Sequence, residues 1–181
     1  MCFDFLGHGE STGIMTEATL RGRLREAETA TKLLVGDGLQ TIVASSMGGY
    51  IAAMVAPTLK PQNLILFCPA AYPDEALDLK FDDNFGILAR RPGAYVTSSA
   101  FTALSSFRGN LLIFGAGNDK NIPRGVLERY LECATVAKSR RLVWLENAEH
   151  RIHVWLEENA IPRAEVLSEV LALINEHHER A

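Results

Sequence analysis

The sequence predicts an α/β fold, with a mostly parallel β-sheet and helices on both faces. Its short apolar runs are continuous, as in Leu64-Ile65-Leu66-Phe67-Cys68, and do not alternate with polar residues. Such runs are typical of strands buried on both faces, which are usually parallel. Helical patterns separate the runs, and this alternation indicates layers joined by right-handed crossovers. Because a domain has roughly 150 residues, we expect residues 1–181 to form a single domain.

Five apolar runs are the predicted strands, and the helices lie between and after them. The strands are Met1–Leu6, Thr41–Ser45, Asn63–Cys68, Asn110–Phe114 and Arg141–Leu145. The helices cover about 17–35, 47–59, 123–137 and a last stretch from 162 onward whose inner face is Val166, Val170, Leu173 and Ile174. Gly36-Asp37-Gly38 is a stop signal for the first helix, and proline suits the first turns of the last two.

Residues 69–109 interrupt this alternation with a long segment that contains no clear strand. The segment holds six of the chain's 14 aromatic residues, more than an even spread would place there. It is either a cap or flap over a pocket or an ordinary helical crossover packed on the sheet. Because long insertions in compact domains are usually functional, we favour the cap.

Composition and charge exclude several classes of protein. Eighteen basic and 22 acidic side chains leave a net charge of −4, which suits neither nucleic acid nor an anionic membrane. No run approaches the roughly 18 apolar residues of a membrane span. The first ten residues lack the basic region of a secretory signal, and the three cysteines cannot all pair. We therefore expect a cytoplasmic protein with reduced thiols.

The turn between the second strand and the next helix carries a candidate nucleophile. Ala44-Ser45-Ser46-Met47-Gly48-Gly49 has a serine with a small residue two positions before and after it. This spacing is typical of a nucleophile elbow and selects Ser46 over Ser45. The alternative is a serine N-cap followed by glycines.

An acid and a histidine follow in the order that such an elbow requires. Asp119 comes after the strand Asn110–Phe114, at the edge where open α/β sheets place their sites. Its alternative role is a turn or cap before the next helix. His150 follows the last strand and is the expected general base, with His153 on the same loop as its competitor.

Together these motifs resemble the α/β-hydrolase superfamily. The supporting segments are Phe3-Asp4-Phe5-Leu6-Gly7-His8-Gly9-Glu10-Ser11, Ser45-Ser46-Met47-Gly48-Gly49, Asn118-Asp119 with Ile122-Pro123, and Glu149-His150. The first of these segments matches the family's turn after its fourth strand, where the glycines permit a tight reversal. We therefore interpret His8 as a structural residue and not a catalytic one. A weaker resemblance, to acyl-thioesterase-like single-domain members, includes the arginines at 21, 23 and 25. These form either a solvated helix face or an anion site, and we favour the solvated face.

The resemblance implies a serine hydrolase that cleaves a carboxylic ester or thioester through an acyl-enzyme at Ser46. Asp119 and His150 complete the triad, and the Met47 N–H contributes to the oxyanion hole. No metal or cofactor is implied, and the partner is a small-molecule acyl substrate. We expect four aromatic side chains of the long segment to line an apolar acyl pocket beside the serine: Phe81, Phe85, Tyr95 and Phe101.

Two departures from the family pattern qualify this interpretation. Ala44 replaces the first elbow glycine, which is a mild change. The chain starts within the family's fourth strand, so we expect three strands and one oxyanion donor to be missing. The consequences would be weak or no turnover and an open sheet edge that favours homodimers. The alternative function is an impaired or inactive hydrolase-fold fragment that acts as a binding or assembly module. A third hypothesis keeps the triad but changes the reaction to amide or C–C hydrolysis.

Overall fold

Four strands form one parallel sheet in a computed structural model that describes residues 2–34 and 41–175. The strands are β1 Thr41–Ser45, β2 Asn63–Phe67, β3 Asn110–Ala116 and β4 Ser139–Leu145, and they lie in the sheet in that order. Each strand pairs with the next in the chain, for example Ser45 with Phe67 and Phe67 with Phe114. Four of the five predicted strands therefore form, and their carboxyl ends meet at one edge.

The helices connect and follow these strands. They are α1 Leu20–Leu34, α2 Met47–Leu59, α3 Asp83–Arg90, α4 Ser99–Leu104, α5 Arg124–Cys133, α6 Ile152–Glu158 and α7 Ala160–Asn175. Short 3₁₀ turns lie at Met15–Glu17, Asp74–Ala76 and Ala94–Thr97. Within the described ranges, we find no helix with both the length and the apolar character needed to cross a bilayer.

The sheet has helices on both faces, as the sequence predicts. Leu64 and Leu66 of β2 belong to a core shared with α1, α2, α4 and α5. Ile65, between them, faces the opposite side and packs in a second core with Val166 and Leu173 of α7. Because adjacent residues of a strand point to opposite faces, both faces of β2 must be apolar, and this explains its continuous apolar run.

The predicted strand at Met1–Leu6 is wrong over residues 2–6, which have an irregular conformation. The Leu6 N–H donates to the Glu26 carboxylate, 2.8 Å away, and so is not part of a strand ladder. Phe3 and Leu6 are 39% and 51% exposed, unlike side chains of a doubly buried strand. The sheet order leaves β1 at an edge among the described residues, and residues 2–6 do not pair with that edge.

Several helix boundaries also differ from the prediction. The first helix begins at Leu20 and not near residue 17, because the Thr19 hydroxyl accepts the Gly22 N–H and so caps the new helix. The predicted stop at 36–38 lies outside the described residues. The third predicted helix ends at Cys133, where the Arg140 guanidinium donates to the carbonyls of Leu131 and Glu132.

The end of the chain holds one helix more than the sequence predicts. A short helix, α6, follows the loop of His150, and α7 begins at Ala160, just before Pro162. In α7, Val166 and Leu173 are buried, as expected for its inner face. Asn159 separates the two helices, and its side-chain amide donates to the Trp155 carbonyl.

Part of the long segment 69–109 serves as the crossover between β2 and β3. Its helix α4 packs on α2 and α5, and Phe101, Leu104 and Phe107 are buried in the larger core. The helix α3 and the turns around it precede this crossover. The structure therefore assigns the second half of the segment to the helical layer, and a cap role concerns the residues before α4.

Candidate active site

Ser46 lies at a strained turn between β1 and α2. Its backbone has φ 52° and ψ −119°, a conformation that residues with a Cβ rarely adopt and that costs about 1–3 kcal/mol. The turn is fixed on both sides, because the Ser46 N–H donates to the Phe67 carbonyl at 2.9 Å and the Ser46 carbonyl accepts the Ala70 N–H at 3.0 Å. These bonds hold the serine hydroxyl above the carboxyl end of the sheet, as in a nucleophile elbow.

The two glycines after Ser46 have different structural roles. A Cβ on Gly48 would lie 3.8 Å from the Cβ of Ala44, which is ordinary contact. Small residues at these two positions therefore fit without strain, and Ala44 serves in place of glycine. A Cβ on Gly49 would lie 2.8 Å from Pro69, so Gly49 is the position where the close approach of the chain excludes any side chain.

The structure brings Ser46, His150 and Asp119 into one hydrogen-bonded row. His150 Nε2 lies 2.9 Å from Ser46 Oγ, and His150 Nδ1 lies 2.8 Å from Asp119 Oδ2. With its proton on Nδ1, the imidazole donates to the carboxylate and accepts from the serine hydroxyl. The competing histidine, His153, is exposed on α6. This row can move a proton away from Ser46.

Two loops at the carboxyl ends of β3 and β4 set the distance between Asp119 and His150. The Gly117 N–H donates to the Leu145 carbonyl and the Asn118 N–H to the Ala148 carbonyl, both at 2.9 Å. A Cβ on Gly117 would lie 1.9 Å from the Glu146 carbonyl oxygen. Gly117 thus permits the backbone contact that holds the two loops together.

The Asp119 carboxylate is nearly enclosed, with its side chain 4% exposed. Burial disfavours the charge, but hydrogen bonds from His150 and from the N–H groups of Asn121 and Ile122, together with the nearby Cys68 thiol, outweigh it. Together these partners hold the pKa of Asp119 below its usual value. The carboxylate is therefore ionised at neutral pH and can stabilise a protonated His150.

The Met47 N–H is a free helix-terminal donor of the kind that an oxyanion hole uses. Met47 is the first residue of α2, so its N–H has no acceptor within the helix. The positive end of the helix dipole adds to this effect. The predicted oxyanion donor therefore lies directly beside Ser46, at the start of the helix.

Cys68 is a site residue that the sequence analysis did not assign. Its side chain is fully buried, and its Sγ lies within 4.8 Å of both an Asp119 oxygen and a His150 ring nitrogen. Burial, followed by contact with Asp119, raises the pKa of the thiol, so it is protonated. A signal was present in the sequence, since Cys68 is the last residue of the predicted strand Asn63–Cys68, at the edge where Asp119 was expected.

Cys68, Asp119 and His150 are also of the types that bind metal ions. A thiol must lose its proton to become a strong ligand, and the surroundings of Cys68 oppose that loss. His150 Nδ1 and Asp119 Oδ2 are already joined by their hydrogen bond. The arrangement therefore fits a hydrogen-bonding network better than a metal centre.

The aromatic side chains predicted to line a pocket fall into two groups. Phe81 contacts Phe85, which contacts Tyr72, and Tyr72 in turn contacts Tyr50, with ring centroids 4.8–5.4 Å apart. Tyr50 lies one helical turn after Ser46 on α2. This row of rings, which we call the Tyr50 cluster, therefore leads from the elbow into the long segment.

Tyr95 and Phe101 form the second group. Their ring centroids lie 6.5 Å apart, and Phe101 packs on Tyr130 of α5 at 4.9 Å. Phe101 also borders a cavity of about 570 Å³. In the described part of the chain, the lining of this cavity includes none of the triad residues. Phe101 is therefore a core residue beside a cavity that the triad residues do not line.

Of the three arginines on α1, Arg23 is not solvated. Its side chain is 1% exposed and lies between the rings of Phe5 and Phe81, 5.1 and 5.7 Å from their centroids. It also pairs with the Glu26 carboxylate. Arg23 therefore attaches the N-terminal segment to the Tyr50 cluster, while His8 lies at the surface within 3.4 Å of its guanidinium.

Comparisons with known proteins support the fold. No protein-family model matches the chain, and no curated protein does. Among solved structures, one from the metagenome-derived lipolytic enzymes LipS and LipT is similar, with a TM-score of 0.68 and 18% identity over 94% of this chain and 79% of that one. Est1E from Butyrivibrio proteoclasticus, with bound ferulic acid, has a TM-score of 0.63 and 22% identity over 93% and 76%. A thioesterase domain of the curacin biosynthetic pathway has a TM-score of 0.60 and 17% identity over 91% and 79%.

These likenesses establish that the chain has the α/β-hydrolase fold. A lipolytic enzyme, an esterase and a thioesterase domain all share the arrangement of its sheet and helices. Because the sequence identities are 22% or less, these similarities show a shared fold but do not show that this chain catalyses the same reaction. Any function must therefore be argued from the site itself.

Proposed function

We propose that this protein is a serine hydrolase that cleaves a carboxylic ester or thioester of a small acyl substrate through an acyl-enzyme at Ser46. One observation carries the proposal: the unbroken hydrogen-bonded row from Asp119 through His150 to Ser46, with contacts of 2.8 and 2.9 Å. Asp119 is held ionised, and each member has the hydrogen-bond partner that nucleophilic catalysis needs.

The first half-reaction forms the acyl-enzyme. Ser46 Oγ attacks the substrate's carbonyl carbon while His150 Nε2 takes the hydroxyl proton. Asp119 stabilises the resulting imidazolium, and the Met47 N–H donates to the oxygen that becomes negatively charged. The tetrahedral intermediate then collapses: the bond to the leaving group breaks, and His150 gives its proton to the departing alcohol or thiol.

The second half-reaction releases the acid. A water molecule gives a proton to His150 and attacks the acyl carbon, and the second tetrahedral intermediate expels Ser46 Oγ, which recovers the proton. No cofactor enters this cycle. We assign the Met47 N–H as an oxyanion donor, and one such donor is worth about 10²–10³ in kcat.

The Tyr50 cluster is the proposed wall of an acyl site, formed by its partly exposed rings, Tyr72 and Phe81, since Tyr50 and Phe85 are buried. Its rings start one turn from Ser46 and continue through Tyr72 to Phe85 and Phe81, and apolar walls are typical of small-molecule sites. In this proposal the residues of segment 69–109 before α4 act as the cap, and Tyr95 lies at its far side, near the start of α5. The three free cysteines, Cys2, Cys68 and Cys133, suit a cytoplasmic location.

A fluorophosphonate probe tests the nucleophile without requiring turnover. The wild-type chain should be labelled, and Ser46→Ala should abolish labelling while its thermal unfolding stays cooperative. Ser45→Ala is the matched control and should be labelled like the wild type. Labelling that persists in Ser46→Ala and disappears in Ser45→Ala would show that Ser45, and not Ser46, is the nucleophile.

Acyl esters, thioesters and amides with the same acyl chain then define the bond that is cleaved. We expect ester or thioester hydrolysis that depends on Ser46, with amides at background. A folded wild-type chain that neither reacts with the probe nor hydrolyses any member of the panel would instead support the binding or assembly module.

A further inference from the structure

Cys68 is a buried polar group that the mechanism above does not use. It directly follows β2, at the same edge of the sheet as Ser46, Asp119 and His150. Its side chain has no exposed surface, and its Sγ lies within 4.8 Å of ligand atoms of both Asp119 and His150. A thiol at this position therefore lies close to the proposed catalytic acid.

The backbone around Cys68 holds the thiol in this position. Its N–H donates to the Phe114 carbonyl at 2.8 Å, which continues the pairing of β2 with β3 beyond the end of the strand. The residue has φ 43°, in the left-handed region that non-glycine residues seldom adopt. The next residue, Pro69, packs against the backbone of Gly49. The left-handed turn is thus constrained from both sides, and it orients the Cys68 side chain.

The Asp119 carboxylate has an acceptor site that the thiol could use. A carboxylate offers about four lone-pair sites. Oδ1 accepts the N–H groups of Asn121 and Ile122, at 2.7 and 3.0 Å, and Oδ2 accepts His150 Nδ1–H at 2.8 Å. One acceptor site remains, and Cys68 places a weak S–H donor beside it.

We propose that Cys68 is a positioning residue for the catalytic acid: its thiol donates to the Asp119 carboxylate and helps to hold that carboxylate ionised and turned towards His150. This inference rests on the proposed function, since it assigns Asp119 its catalytic role. The groups that face Asp119 are then His150 from the loop after β4 and Cys68 from the end of β2.

The pKa values support this assignment. Contact with the Cys68 thiol lowers the pKa of Asp119, and contact with Asp119 raises the pKa of the thiol, after the larger effect of burial. Both shifts have the signs of a thiol that donates to an ionised carboxylate.

A pair of conservative variants separates positioning from packing. Cys68→Ser keeps a donor at the same place, whereas Cys68→Ala removes it. The readout is the titration of the Asp119 carboxyl carbon in ¹³C-aspartate-labelled protein, with Asp119→Asn to assign the signal. The Asp119 midpoint should rise by about 0.5 pH unit in Cys68→Ala and stay at or below the wild-type value in Cys68→Ser.

Probe labelling at Ser46 should fall several-fold in Cys68→Ala and return to near the wild-type rate in Cys68→Ser. If Cys68→Ala does not fold, Cys68→Gly replaces it as the donor-free variant, because glycine adopts the left-handed φ of this position without strain. An unchanged Asp119 midpoint in a folded donor-free variant, or equal rises in the variants with and without the donor, would overturn the proposal. Because the titration needs no activity, a wild-type chain that the probe does not label refutes the proposed function and leaves the test of Cys68 intact.

Discussion

Replacing Gly117 by alanine adds one methyl group where the two catalytic loops touch. The new Cβ would lie 1.9 Å from the Glu146 carbonyl oxygen, and the obstacle is backbone that cannot rotate away. Gly117 does not have a positive φ, so alanine is compatible with its backbone conformation and the perturbation is purely steric. The experiment therefore tests whether the spacing of the loops of Asp119 and His150 controls reactivity.

The size of the effect follows from the distances. Non-bonded heavy atoms are most stable about 3.5 Å apart, so the loops must separate by roughly 1.5 Å to accommodate the methyl group. A shift of that size stretches the 2.8 Å contact between His150 and Asp119 beyond hydrogen-bonding range. Because a misplacement of about 1 Å can reduce a rate by about 10²-fold, we expect Gly117→Ala to slow probe labelling by about two orders of magnitude.

The assay is the second-order rate of fluorophosphonate labelling, with thermal unfolding measured on the same samples. The control is Gly22→Ala on α1, where the nearest atom to the added Cβ is 3.4 Å away, and it should react like the wild type. If a folded Gly117→Ala protein reacts at the wild-type rate, the loop contact does not set the geometry of the triad.

Three further predictions concern charge, burial and association. Asp119→Asn should slow labelling by about 10⁴-fold. Folding lowers the pKa of Asp119, so the ionised carboxylate stabilises the fold at pH values above the ordinary pKa of 3.8. This stabilisation is lost as the pH falls through the lower pKa of the folded state. The difference in unfolding free energy between wild type and Asp119→Asn should therefore shrink in that pH range. Tyr130→Phe removes the 2.7 Å bond to the Ala70 carbonyl from a fully buried site and should lower the free energy of unfolding by about 1–2 kcal/mol in urea titrations. Val43, 59% exposed on the edge strand β1, should favour homodimers, and Val43→Lys should shift sedimentation towards monomer; an unchanged distribution would contradict the edge contact.

Local pattern was sufficient for much of the sheet and for the position of the triad residues. The boundaries of β1 and α2 match the prediction. The almost wholly apolar sequence of α2 reflects the burial of most of its residues, whereas β1 forms as an edge strand with no fully buried residue. The chain order of Ser46, Asp119 and His150, each just after a strand, predicted residues that the structure brings together. This inference was possible because the carboxyl ends of parallel strands share one edge.

Features that depend on distant neighbours could not be read from local pattern. The apolar run at residues 2–6 has the composition of a strand, but strand formation requires a partner, and none lies beside it in the described sheet. Arg23 is charged on a helix that looks solvated, yet Phe5 and Phe81 enclose it from distant parts of the chain. The role of Gly49 depends on Pro69, and the environment of Cys68 depends on Asp119.

Identification of the residue that carries the probe tests the central claim most directly. After fluorophosphonate treatment of the wild-type chain, mass spectrometry of the peptides should find one adduct, on Ser46, and the His150→Gln substitution should greatly reduce it. An adduct on Ser45 or on another residue, or a folded chain that carries no adduct, would contradict the assignment of this α/β-hydrolase fold as a serine hydrolase acting through Ser46.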